Sequence, residues 1–165
     1  PGALGNVWFV DSISWVHNAD EEMNALNDFE PSKTVIVDTR YKDLVTSITN
    51  NYDLRNISLV EYSSDKMTYE YSSETSCLAV FSEIYYKGNE DWKAYVDGKY
   101  MPHFRANYVL RAMSLPSGDH TIEFRFKPVS YYVGEKIAIT SSIIVCLLVL
   151  GLGIFYLKRQ REPAV

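Results

Sequence analysis

The sequence predicts a mainly β protein: an antiparallel β-sandwich of jelly-roll or immunoglobulin-like type with one short N-terminal helix, followed by a single transmembrane α-helix. Three observations predict it. Several short segments alternate apolar and polar residues, the period of a strand with one buried face. Turn-forming clusters separate them about every 8–12 residues, as in sandwiches. Residues Ile137 to Leu157 form an uninterrupted apolar run with no charged side chain, followed at once by Lys158, Arg159, Gln160 and Arg161.

The helix comes first. Asn18 can cap it, Glu21 stands three residues later as in a capping box, and Ala19, Met23 and Leu26 fall on one face. Pro31 stops it. Val35-Ile36-Val37 reads as a short buried strand. Residues 57–62 and 67–71 flank Ser63-Ser64-Asp65-Lys66, which suits a hairpin. Cys77-Leu78-Ala79-Val80-Phe81 is too continuously apolar for an exposed strand and reads as a central one. Trp92, Ala94 and Val96 then alternate with Lys93 and Tyr95, which puts Trp92 on the inward face; Asp97-Gly98 gives a type I′ turn. Tyr108 to Leu115 is the next strand, stopped by Pro116-Ser117-Gly118-Asp119. In the last strand Ile122, Phe124 and Phe126 alternate with Glu123, Arg125 and Lys127, and Pro128 ends it.

The apolar run is about 21 residues long, and roughly 20 are needed to cross the hydrocarbon core as a helix. In lipid every backbone group must be satisfied within the segment, which leaves helix as its state. Thr140, Ser141 and Ser142 interrupt the run, but their hydroxyls can bond back to the preceding turn. Tyr131, Tyr132, Phe155 and Tyr156 stand where interfacial aromatics belong, and the basic cluster marks the cytoplasmic side. Gly151 and Gly153 do not make a helix-dimer spacing. The organisation expected is an extracytoplasmic β-sandwich over residues 1–133, a transmembrane helix over 134–157 and a basic cytoplasmic tail over 158–165. A tether of about eight residues then keeps the sandwich close to the outer leaflet.

The chain has 165 residues and a net charge of −5, and the basic tail makes the part before it more acidic still. That argues against nucleic acid as a partner. Cys77 sits in an apolar strand and Cys146 in the span, so no disulfide framework is implied. The chain opens Pro1-Gly2-Ala3, with neither an initiator Met nor a signal peptide, which leads us to expect a stretch of a longer membrane protein. His17, His103 and His120 lack second ligands at metal spacing and read as surface or turn residues. Glu21-Glu22 and Glu90-Asp91 read as solvated charge. Asn56-Ile57-Ser58 fits a glycosylation sequon. There is no phosphate loop, nucleophile elbow or Cys–His pair, so no catalytic residue, metal or cofactor is assigned.

Aromatic residues make up 14% of the chain, with 13 tyrosines. Tyr85, Tyr86, Trp92 and Tyr108 can form a stacking platform for sugar rings, or can fill the inter-sheet core or rest on the membrane interface. Arg105 and Arg111 flank Asn107-Tyr108 and either pair with Glu83 within the sheet or face an anionic head group. Glu83, Tyr85, Tyr86, Trp92, Arg105, Asn107, Tyr108 and Arg111 are therefore the ligand-binding candidates.

From Phe81 onward the pattern resembles a known family. Phe81-Ser82-Glu83-Ile84-Tyr85-Tyr86, Asp91-Trp92-Lys93-Ala94-Tyr95-Val96-Asp97-Gly98 and Phe104-Arg105-Ala106-Asn107-Tyr108-Val109-Leu110-Arg111-Ala112 carry its first half. Leu115-Pro116-Ser117-Gly118-Asp119-His120-Thr121-Ile122-Glu123-Phe124 and Tyr132-Val133-Gly134-Glu135-Lys136-Ile137 complete it. Leu4 to Val10, Ala19 to Glu22 and Asp28 to Pro31 also fit. Together these resemble the C-terminal end of the YfhO family of large bacterial multi-pass membrane proteins, in a Bacteroides-like version. The resemblance implies a lipid-carrier-dependent glycosyltransferase of the inner membrane, moving sugar from a polyprenyl-phosphate donor onto an envelope acceptor. In that class the catalytic carboxylate lies in an early exterior loop, outside this sequence, so none is carried over. The implied role is an accessory one, binding the acceptor or covering the active site, with the bilayer, the remaining transmembrane helices, and an envelope glycan or polyprenyl-phosphate sugar as partners. A carbohydrate-binding or scaffold module of a membrane-anchored protein is the alternative.

Overall fold

Residues 77–81 offer water no polar side chain, so the strand that carries them needs cover on both faces. A computed structural model describes residues 3–46, 55–86 and 88–160, with residues 159 and 160 described by backbone only. In chain order the elements are β1 (Val7–Val10), β2 (Ser12–Val16), α1 (Ala19–Ala25), β3 (Thr34–Asp38), a 3₁₀ helix (Thr39–Leu44), β4 (Asn56–Tyr62), β5 (Lys66–Ser73) and β6 (Cys77–Ile84). Then follow α2 (Gly88–Asp91), β7 (Trp92–Val96), β8 (Lys99–Tyr100), β9 (Phe104–Ala106), β10 (Leu110–Leu115), β11 (Gly118–Phe126) and α3 (Val129–Gln160). The protein is mainly β, with antiparallel sheets, one short N-terminal helix and a C-terminal apolar helix.

One sheet has the order β1-β6-β10-β9, a second the order β4-β5-β11-β7-β8, and β2 pairs with β3. β6 is covered twice. Its Cys77, Ala79 and Phe81 pack into one core with Tyr69, Ile122 and Phe124 of the five-stranded sheet. Leu78 and Val80 pack into a second core with Val10, Val35, Val37 and Phe104. The four-stranded sheet is thus the middle of three layers, and its alternate residues serve opposite cores.

The hairpin between β4 and β5 and the Asp97-Gly98 turn lie where the sequence puts them; Asp97 and Gly98 have φ of 49° and 77°, as a type I′ turn requires. Three features depart from expectation. β2 and β3 pair in parallel, which demands a crossover, and α1 supplies it. The capping box forms, with Glu21 N–H donating to Asn18 Oδ1 at 2.9 Å, but the buried residue of α1 is Glu22, while Ala19 and Met23 are exposed. Tyr108 stands in a turn with φ of 70° rather than in a strand, and β10 starts at Leu110.

Val129–Lys158 is long and apolar enough to cross a membrane, and none of it is buried as a soluble protein's core helix would be. Residues 129–136, expected as a tether, are helical. Of the basic cluster, Arg161 and the residues after it lie outside the described residues, as do Pro1 and Gly2. The strands and the helix α3 belong to two separate compact units, divided between Lys127 and Pro128. Phe81 is the test of the first unit's core. It is fully buried, with its ring 5.0 Å from both Tyr69 and Phe124. Phe81→Ala should cost about 3–5 kcal/mol, read as a lower midpoint in denaturant unfolding; a midpoint near wild type would show that the two sheets do not depend on this contact.

Candidate functional site

The eight residues singled out from the sequence come from one end of the four-stranded sheet, where β6 leaves and β10 enters, but they divide between two clusters. Leu110 stands opposite both Ile84 and Ala106, and Tyr85 N–H donates to Val109 O at 2.7 Å. Arg111 ties Trp92 to them. Its guanidinium lies 4.5 Å from the Trp92 ring centroid and 5.5 Å from that of Phe124, and Nε donates to Ile84 O at 3.0 Å. Nη1 is buried with no protein partner among the described residues. Burial lowers the Arg111 pKa from its ordinary value, and the Glu83 carboxylate opposes that shift. Trp92 packs half-buried on the inter-sheet core, 5.1 Å from Phe126, while Tyr86 is exposed.

His103, expected at the surface, is fully buried in this cluster. Its ring lies 5.3 Å from both Tyr85 and Phe124, and neither ring nitrogen has a partner among the described residues. Burial, reinforced by Arg111 and Lys93, pushes its pKa down to about 3, so it is neutral at ordinary pH. Asn89 of α2 fixes its backbone, accepting from His103 N–H at 3.1 Å and donating to His103 O at 2.6 Å. Tyr85 closes over Gly88; a Cβ there would stand 2.2 Å from the Tyr85 hydroxyl, and φ is +45°, so only glycine fits. Burial pushes the Tyr85 hydroxyl up to about 12.

Arg105, Asn107 and Tyr108 are bound to the third layer instead. Asn107 N–H donates to Ile36 O at 2.9 Å and its Oδ1 accepts from Ile36 N–H at 2.8 Å, so one residue pairs with the edge of β3 as a strand would. Glu22 is completely buried. One carboxylate oxygen accepts from Tyr108 N–H at 2.9 Å and the other from Arg105 Nη2 at 2.6 Å. Arg105 therefore pairs with α1 and not with Glu83. Both acidic pairs read as solvated split in the same way, since Glu22 and Asp91 are buried while Glu21 and Glu90 are exposed. The ion pair is asymmetric, because Arg105 keeps 24% of its side chain exposed and Glu22 none. Arg105→Ala should cost about 3–5 kcal/mol by stranding a buried carboxylate. Glu22→Ala should cost less, because water can reach the freed guanidinium. Equal losses in urea unfolding would refute that asymmetry.

The other end of the strands carries a depression the sequence did not reveal. Asn56, Ser72 and Asp119 lie in one row across β4, β5 and β11, and Ser58, Glu70 and Thr121 in the next. With Tyr71, Asp97 and His120 they line a hollow of about 370 Å³. His120 holds its rim: Nδ1 lies 2.5 Å from Asp97 Oδ2 and Nε2 3.0 Å from Ser117 O. Two acceptors favour the doubly protonated ring. The Asp97 carboxylate, then the Ser117 carbonyl, raise the His120 pKa. The Thr121 N–H, donating at 3.0 Å, and then His120 lower that of Asp97. Among the described residues no group of three or more His, Cys, Asp or Glu could hold a metal ion.

The pair has a pH signature. His120 has its folded pKa raised above the ordinary 6.5, so its contribution is full below 6.5 and is lost as pH rises through the folded value. Asp97 is lowered below 3.8, so its contribution is present above 3.8 and is lost as pH falls through its folded value. Wild type should therefore lose stability relative to His120→Gln as pH rises above 6.5. Parallel pH profiles of the two melting curves would contradict the pairing.

A protein-family model described as bacterial membrane protein YfhO matches residues 29–140, more than half of the chain. The match covers every strand except β1 and β2, and so both ends just described. Neither the curated proteins nor the solved structures give a significant match.

Proposed function

The chain belongs to the YfhO family of bacterial membrane proteins, and from that premise we propose that residues 1–133 are the extracytoplasmic, non-catalytic part of a polyprenyl-phosphate-sugar-dependent glycosyltransferase of the inner membrane. Residues 134–157 cross that membrane and residues 158–165 are cytoplasmic. The domain's role is to hold the envelope glycan that accepts the sugar, while the rest of the protein supplies the donor site and the catalytic carboxylate.

The observation that carries this reading is the depression on the outward face of the five-stranded sheet. Its walls combine hydroxyls (Ser58, Ser72, Thr121), an amide (Asn56) and carboxylates (Glu70, Asp97, Asp119). A sugar presents many hydroxyls that each donate and accept, and such a wall matches them without requiring charge on the ligand.

Turnover of the full-length protein, with polyprenyl-phosphate sugar and envelope glycan varied separately, tests the reading. Glu70→Ala combined with Asp119→Ala should raise the acceptor KM about tenfold or more, the loss of one or two charge-assisted hydrogen bonds, and leave the donor KM unchanged. An unchanged acceptor KM would refute the assignment. Glycan binding by a full-length protein that transfers no sugar would leave a carbohydrate-binding module instead.

A further inference from the structure

The two ends of the β-domain differ in what they show to solvent. At the Arg111 end Tyr62, Ile84, Tyr86 and Val109 are 64%, 66%, 60% and 46% exposed. They lie about one centre: Arg111 Nε bonds Ile84 O, Tyr62 stands opposite Met67, whose other neighbour Phe124 packs on the Arg111 guanidinium, and Tyr85, between Ile84 and Tyr86, bonds Val109. At the opposite end, the turns at residues 97–98 and 116–119 show no exposed large apolar side chain. Large apolar side chains grouped at one end of a domain need an apolar or interfacial partner.

Connectivity identifies that partner. β11 starts at Gly118 beside the polar depression and ends at Phe126, opposite Trp92, so the chain leaves the domain at the apolar end. Only Lys127 and Pro128 separate Phe126 from Val129, the first residue of α3, a reach of at most about 11 Å. Within α3, eight residues, about 12 Å of helix, precede Ile137, where the charge-free apolar run begins; that exceeds the roughly 5–8 Å of a headgroup layer by less than the reach of the Lys127-Pro128 link. Tyr131 and Tyr132 lie in that stretch, where interfacial aromatics settle. The apolar end of the domain is therefore the end that the chain itself brings to the bilayer surface.

We propose that this end of the β-domain, through Tyr62, Ile84, Tyr86 and Val109, seats in the headgroup layer of the bilayer that α3 crosses, a contact with lipid that is independent of glycan binding. The depression lies about seven residues, or about 24 Å, away along β11. Tyrosine suits the position, with its ring among acyl chains and its hydroxyl among headgroups.

Depth-resolved quenching in the full chain tests this. Cys146→Ala removes the thiol on the span, and Cys77 is buried in the core. In that background Ile84→Cys at the apolar end and Ser117→Cys at the far turn each receive an environment-sensitive fluorophore. The chain is reconstituted in vesicles of phosphatidylcholine and phosphatidylglycerol, with or without lipids spin-labelled near the headgroup. The label at 84 should be quenched several-fold more strongly by the spin-labelled lipid than the label at 117, and shielded from aqueous iodide. A label at 84 that iodide reaches and lipid does not would overturn the proposal by placing this end in water. Shielding from both quenchers would overturn it in favour of a protein cover, either a second copy or other helices. Equal lipid quenching at 84 and 117 would overturn it too, since the domain would then lie on its side.

Discussion

The double burial of β6 is the constraint from which the rest of the domain follows. A strand with Leu78 and Val80 on one side and Cys77, Ala79 and Phe81 on the other can exist only between two apolar layers. The five-stranded sheet supplies one with ease. The other has to come from two short parallel strands, a seven-residue helix and a 3₁₀ helix, which together have little apolar surface. That thin layer is therefore fastened with polar bonds. Asn107 completes the edge of β3, and Glu22 binds the turn beside it through Tyr108 N–H and Arg105. A buried carboxylate is expensive unless every lone pair finds a donor. Here it is placed where a tight turn exposes backbone N–H groups that would otherwise be unsatisfied.

Much of the fold was legible because the period of a strand and the chemistry of a turn are local. Continuous apolarity marked β6, alternation marked β7 and β11, and Asp97-Gly98 marked its hairpin. The helix was legible at its cap and misleading on its face, since Ala19, Met23 and Leu26 assume an apolar partner and the partner is a polar turn. β1, β2 and β9 are four, five and three residues long, too short for a period to declare itself. Tyr108 was misplaced for a different reason. A bulky residue with positive φ pays a steric cost that only its surroundings repay, in this case the carboxylate of Glu22.

The candidate residues share a place because they come from the junctions of β6, β7, β9 and β10. Their grouping follows from chain neighbourhood as much as from chemistry. The environment of each was not legible. Arg111 packs on the rings of Trp92 and Phe124, His103 meets Tyr85 and Phe124 edge-on, and no spacing in the sequence announces a buried histidine whose two nitrogens have no partner among the described residues. The depression was hidden more thoroughly. Its residues come from three strands and one turn, between 56 and 121 in sequence, and only the pairing register lines them up. Asp97 shows the difficulty well: its local signal is a turn, whereas its carboxylate serves His120 and Thr121 from across the sheet.

β11 links the two ends and makes them depend on each other. Ile122 and Phe124 point into the core, while Asp119 and Thr121 line the depression. Because successive side chains point to opposite faces, a slip of one residue against β5 would send Ile122 and Phe124 into water and Thr121 into the core. The hydrophobic core thus fixes the register that assembles the polar wall, and the wall inherits the rigidity of the core without needing rigid loops. The same strand delivers the chain to α3 at its other end. Nothing flexible intervenes along β11 between the depression and that exit. The distance along the domain from the depression to that exit is then set by the length of a strand, which makes it a constant of the fold for whatever the depression holds.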